Sequence, residues 1–132
     1  MGMGAAGWAF AFALAAGAAT GPSSGPDAGV VAPREIARLV AAIGTSDCEF
    51  QRNGRWHAAA DAQAHLQRKL ERARSLGFNG TADDFIERLA SRSSLSGRPY
   101  RVRCDGVEAL AADWFTDELA RMRAADSSRS PR

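Results

Sequence analysis

Chemistry-bearing side chains are scarce in this chain. Among its 132 residues there are two cysteines, two histidines, one tyrosine and, in a set of seventeen basic residues, a single lysine, Lys69. Each shortage excludes something. The two histidines, His57 and His65, would lie about 12 Å apart along a helix, whereas zinc holds its ligands about 2 Å from one point. No metal site and no cofactor are expected. No G-x-S-x-G elbow is present to raise a serine nucleophile out of a strand-to-helix turn. Acidic and basic residues interleave and nearly cancel, to a net charge of +2. No stripe of charge tracks a phosphate backbone, and nucleic acid is not an expected partner. The longest apolar core, about a dozen residues near the N-terminus, falls short of the ~20 that a membrane-spanning helix needs.

What is present begins with an uncharged, Ala-rich stretch, Met1 to Ala19. Trp8, Phe10, Phe12 and Leu14 form its apolar centre, and Ala16-Gly17-Ala18-Ala19 offers the small residues at which a signal peptide is cut. The expectation is a signal peptide over 1–19, cleaved after Ala18 or Ala19, although the Lys or Arg usual ahead of the apolar centre is missing. Residues 20–33, rich in Gly, Pro, Ser and Ala, read as a flexible leader. Residues 34–124 form a single globular domain, and 125–132 a disordered tail. The mature chain then has no transmembrane segment and a periplasmic or secreted location.

A domain of about 90 residues has a marginal core by itself. Cys48 and Cys104 are either two buried thiols, the usual state in cytosol, or one disulfide, the usual state after export. The leader favours the disulfide.

Periodicity supplies the elements. Pro33 opens a helix carrying Ile36, Leu39, Val40 and Ile43 at helical spacing. Cys48 to His57 alternates instead, around Asn53-Gly54, the pair that a type I′ hairpin turn prefers. Phe50 should then face His57, and Gln51 should face Trp56. Ala58 to Leu76 is the longest helix, with Ala62, Leu66, Leu70 and Ala73 as its apolar stripe. Thr81 with Asp84 marks a capping box before a helix that buries Phe85, Ile86 and Leu89. Pro99 to Cys104 alternates again. Placing Cys48 opposite Cys104 pairs Phe50 with Val102 and Glu49 with Arg103, and both pairs are chemically sensible. A last helix presents Ala111, Trp114, Phe115, Leu119 and Met122. The predicted fold is α+β, with about four helices and a small antiparallel sheet made of a hairpin plus one returning strand, braced by one disulfide.

Two groups of residues are candidates for function. On the long helix, Asp61, His65 and Lys69 form one column at i, i+4 and i+8. There an acid can fix the imidazole tautomer, as in general-base sites, or the three can simply edge the buried stripe. Ser93, Ser94 and Ser96 supply hydroxyls in the run S-R-S-S-L-S-G-R-P-Y, where a tight loop also explains them. On the outer sheet face, Trp56 should lie among Arg101 and Arg103, a combination enriched at interfaces. Arg52 and Arg55 flank the turn on the opposite face.

The segments F-Q-R-N-G (Phe50 to Gly54), A-Q-A-H-L-Q-R-K-L (Ala62 to Leu70), T-A-D-D-F-I-E-R-L-A-S-R-S-S-L-S-G-R-P-Y (Thr81 to Tyr100) and V-R-C-D-G (Val102 to Gly106), in this order, resemble the YfeK-like family of small exported bacterial proteins of uncharacterised function. The resemblance covers nearly the whole domain. It implies an envelope location and places His65, Lys69, Ser94, Gly97 and Tyr100 in the family pattern, without implying a reaction, cofactor or catalytic residue. The sequence therefore predicts an exported, non-catalytic binding or accessory module that meets an envelope protein or cell-wall component. Its expected binding residues are Trp56, Arg101, Arg103, His65 and Lys69. The alternative is a small hydrolase using His65 with Ser94 or Ser96.

Overall fold

A computed structural model describes residues 28–129. The expected signal peptide and the first part of the expected leader lie outside the described residues. In chain order the elements are α1 (Ala28–Thr45), β1 (Glu49–Arg52), β2 (Arg55–Ala58), α2 (Ala59–Ser75), the short α3 (Ala82–Phe85) running into a π-helical turn (Ile86–Ala90), β3 (Arg101–Cys104), β4 (Val107–Leu110) and α4 (Ala111–Arg129).

The four strands form one antiparallel sheet in the order β2-β1-β3-β4. Asn53 and Gly54 turn the first hairpin with φ of 51° and 80°, the left-handed pair that matches the twist of flanking strands. Phe50 faces His57, Gln51 faces Trp56, Phe50 faces Val102 and Glu49 faces Arg103, each as the alternation predicts. Cys48 and Cys104 are joined, with their Cα atoms 4.5 Å apart.

The sheet has one strand more than expected. Asp105 and Gly106, with φ of 50° and 80°, make a second two-residue turn. They send Val107–Leu110 back along β3, pairing Cys104 with Val107 and Arg101 with Leu110. The signal was the same kind of dipeptide that marks the first hairpin. It was masked because β4 is exposed along its length and shows no alternation of burial.

Two boundaries also differ from expectation. Helix α1 starts at Ala28, so Pro33 lies inside it rather than at its opening, and residues 28–33 are helical rather than leader. Helix α4 runs past residue 124 to Arg129. Arg38 of α1 reaches Asp126 at 2.8 Å and ties down the turns that composition alone assigns to a tail.

The helices cover one face of the sheet. Leu39, Val40 and Ile43 of α1, Leu66 and Leu70 of α2, Phe85, Ile86 and Leu89 of the α3–π segment, and Phe115, Leu119 and Met122 of α4 bury themselves with Phe50 and Val102. Thr81 and Asp84 form the reciprocal cap of α3. The π turn ends where the Ser91 hydroxyl donates to the Ile86 carbonyl, five residues back.

At the far end of the bundle Glu35 is buried, and the Arg123 guanidinium grips both its oxygens at 2.9 and 3.0 Å. The same guanidinium also donates to Asp83 at 2.9 Å, linking α1, α3 and α4. These hydrogen bonds hold Arg123 firmly in its charged form.

Two stability predictions follow from this architecture. The bridge closes a loop of 56 residues, which constrains the unfolded chain by about 4 kcal/mol. Urea unfolding with and without reductant should show a loss near that size, and an unchanged midpoint on reduction would contradict it. At the Glu35 clasp the two deletions should differ. Arg123→Ala strands a buried carboxylate and should cost about 3 kcal/mol. Glu35→Ala leaves a part-exposed guanidinium still paired with Asp83 and should cost about 1 to 2 kcal/mol. Equal costs in urea unfolding would show that the burial asymmetry does not matter.

Candidate functional site

Strand parity decides which side chains meet the helices. Cys48, Phe50 and Arg52 alternate onto the inner face, with His57 across from Phe50, and Tyr100 precedes Val102 by two on the same side. Helix α2 begins one residue after β2 ends and folds back over this face. His65 and Lys69 are thereby brought against Arg52 and Tyr100.

The contacts form one continuous network. Arg52 Nη1 meets His65 Nδ1. His65 Nε2 lies 3.4 Å from Tyr100 Oη, with the two rings edge-on. Lys69 Nζ donates to Tyr100 Oη at 3.1 Å and to the Arg92 carbonyl at 2.8 Å, and stands 5.0 Å from the centre of the tyrosine ring.

Donor accounting fixes the protonation pattern. A guanidinium only donates. His65 Nδ1 therefore accepts, the ring is neutral, and the proton on Nε2 is offered to Tyr100. The phenolic oxygen then accepts from both His65 and Lys69, so its own O–H has no acceptor among the described residues. Arg52 has no carboxylate partner among the described residues either. The cluster is rich in donors and lacks an anion.

The electrostatics agree. Burial, then the charges of Arg52, Lys69 and Arg68 and a smaller contribution from His57, push His65 down to about 4. Burial and Arg52 push Lys69 down to about 8. Burial raises the Tyr100 hydroxyl above its ordinary range, with Arg52 opposing.

Arg52, His65 and Tyr100 of this network line one wall of a cavity of about 290 Å³. Buried Ile43, Phe50, Leu66, Ala90, Ala111 and Phe115 supply its apolar lining. Arg52, His57, His65 and Tyr100 supply the polar side, with exposed Asp61, Ala64 and Arg68 at the mouth. Among the described residues no group of His, Cys, Asp and Glu is arranged to hold a metal ion.

The five expected binding residues fall on two separate faces. His65 and Lys69 join in the network above. Trp56, Arg101 and Arg103 share the outer face, where the Arg103 guanidinium covers the Trp56 ring at 4.1 Å. That face already carries its own counter-charges. Arg103 pairs with Glu49 at 2.9 Å and with Glu108 at 3.9 Å, and Arg101 pairs with Glu108 at 3.6 Å.

The expected role of Asp61 is taken by Arg52, which sets the His65 tautomer from the sheet. No serine hydrogen-bonds to His65 among the described residues. The Ser93 hydroxyl is buried and accepts from the Leu95 and Ser96 amides. The Ser96 hydroxyl donates to Asn53 at 2.6 Å. Arg52 is the participant that motif reading passed over. Its parity with Phe50 was the available signal, since it placed a charge on the face that α2 covers.

A small α+β domain, braced by one disulfide and holding a donor-lined cavity between sheet and helix, is the class of protein that these features define. The chain belongs to the family described as "Family of unknown function (DUF5329)", which matches residues 31–123. It is also similar to "Uncharacterized protein YfeK" of Salmonella typhimurium (strain LT2), with 41% identity over 64 residues, 48% of this chain and 52% of the relative. The chain thus spans about half the length of that curated relative. No solved structure matches.

The histidine environment predicts a specific pH response. An NMR titration of the His65 ring should give a midpoint below pH 5, and Arg52→Ala should raise it. As pH falls from about 6.5, the ordinary histidine value, to about 4, the unfolded chain takes up a proton that the folded ring refuses. Stability should therefore decline across that window, and His65→Asn should flatten the slope. A wild-type midpoint near 6.5 would mean that the ring is free of the arginine.

Proposed function

We propose that this chain is a non-catalytic binding module of the cell envelope, and that the Arg52–His65–Tyr100–Lys69 network above the cavity is its binding site. The carrying observation is a pair of donors, the Arg52 guanidinium with no carboxylate partner and the Tyr100 hydroxyl with no acceptor among the described residues, beside a cavity whose lining is part apolar and part polar. Arg52 is part-buried, and a positive charge drawn partly out of water with no carboxylate beside it gains from a small anion. Binding sites commonly have this composition: an apolar chamber with a few convergent polar groups.

The envelope location draws support from the Met1–Ala19 pattern and from the disulfide. The outer face with Trp56, Arg101 and Arg103 supports a contact surface less well, because its arginines are already paired. A hydrolytic role draws no support from His65, since both its ring nitrogens are engaged by Arg52 and Tyr100 rather than by a serine.

Two measurements test the reading. Amide chemical shifts should be followed at pH 7 with acetate, inorganic phosphate, benzoate and octanoate. At least one anion should move Arg52, His65 and Tyr100, and Arg52→Gln should abolish the effect. Shifts confined to the outer face, or none at all, would reject the site. For location, thiol labelling of unreduced, denatured protein from an osmotic-shock fraction should find no free cysteine. Recovery only with cytoplasm, or labelling of both cysteines, would reject the envelope assignment.

A further inference from the structure

We infer that the ligand is a monocarboxylate carrying an apolar group of about seven carbons, held with its carboxylate between Arg52 and Tyr100 and its tail in the cavity. This rests on the binding-site reading above and goes beyond it by naming the chemical class.

Three observations select that class. The first is the donor set. A carboxylate only accepts, through two oxygens. One can meet the spare N–H groups of Arg52 while the other takes the Tyr100 O–H, and charge-assisted contacts of this kind are the strong ones. Arg52, His65 and Tyr100 leave no acceptor for a cation or an amine among themselves, and the carboxylate in the lining, Asp61, is exposed at the mouth. The second is the lining. Beyond the polar wall the cavity is bounded by Phe50, Leu66 and Phe115 with the small Ala90 and Ala111, surfaces that gain nothing from a second polar head. A phosphate or sulfate would leave this chamber unfilled, and Asp61 at the mouth opposes a second negative charge. The third is size. The cavity of about 290 Å³ holds roughly ten water-sized groups at ~30 Å³ each. Three of these are the carboxylate, which leaves about seven for the tail. Octanoate and benzoate both fit that description.

Calorimetry on the oxidised protein at pH 7, across straight-chain acids from acetate to dodecanoate, tests the assignment. Affinity should climb about three- to fourfold per methylene up to roughly eight carbons, then stop climbing once the chamber is full. Replacing octanoate by 1-octanol should lose about tenfold to a hundredfold, the contribution of hydrogen bonds to a charged group. Arg52→Gln should bring octanoate to the level of octanol. Ala64→Trp, at an exposed helical position on the cavity mouth, should block octanoate without disturbing the network, which covers the case in which Arg52→Gln misfolds. Three outcomes overturn the inference. Phosphate or acetate binding as tightly as octanoate at Arg52 and Tyr100 would keep the site but reject the ligand class. Octanoate binding unaltered in both variants would place it elsewhere on the surface. No binding by any probe would reject the site and the class together.

Discussion

Cys48 and Cys104 stand opposite each other at the edge of the two central strands, and the rest of the sheet is counted from them. With that pair fixed, Phe50 must face Val102 and Glu49 must face Arg103. A slip of one residue would turn Glu49, Gln51, Arg101 and Arg103 into the core and expose Phe50 and Val102. The same count carries Arg52 to the inner face at the hairpin end of β1, where α2 lies across it. The covalent link therefore bears on both the cohesion of a small domain and the placement of its least conventional charge.

That charge stands apart from the other arginines whose contacts define the fold. Arg123 has Glu35 and Asp83, Arg103 has Glu49, and Arg38 has Asp126. Arg52 instead faces an imidazole and, beyond it, the only lysine of the sequence. The choice of lysine at position 69 has a physical reason in this setting. Its ammonium can give up a proton within an accessible pH range, and burial beside Arg52 moves it in that direction. A guanidinium has no such release, so Arg at position 69 would make the like-charge conflict permanent. The point-like ammonium also bridges a phenol oxygen and a backbone carbonyl, where a planar fork would fit poorly.

The strands and their register were legible because three independent signals converge on them: Asn53-Gly54, the alternation on either side, and the two cysteines. The capping box at Thr81 and Asp84 was legible for a similar reason, since both its hydrogen bonds are local. What lay hidden depends on neighbours distant in sequence. Strand β4 is exposed along its length and takes its conformation from pairing with β3. The last turns of α4 are held by Arg38, 88 positions away. The site shows the same division. His65 and Lys69 announce themselves by helical spacing, but their partners do not, because Arg52 and the Arg92 carbonyl meet them only after the hairpin and α2 have packed. The outer-face group of Trp56, Arg101 and Arg103 did assemble; the pairing of Glu49 with Arg103 was legible from the register, whereas Glu108 reaches the two arginines only because β4 pairs with β3.

The π-helical turn at Ile86–Ala90 gives this chain a length requirement. A regular helix turns about 100° per residue, so a wider turn amounts to one surplus residue absorbed without breaking the element. The segment that leaves it carries the Ser91 carbonyl, which receives the Tyr100 amide at 2.9 Å, and the Arg92 carbonyl, which receives Lys69. Removing that surplus residue would let an ordinary helix close and swing the exit around its axis, carrying both carbonyls away from their partners. A single deletion in this stretch would therefore part Tyr100 and Lys69 from their carbonyl partners even with every other side chain kept.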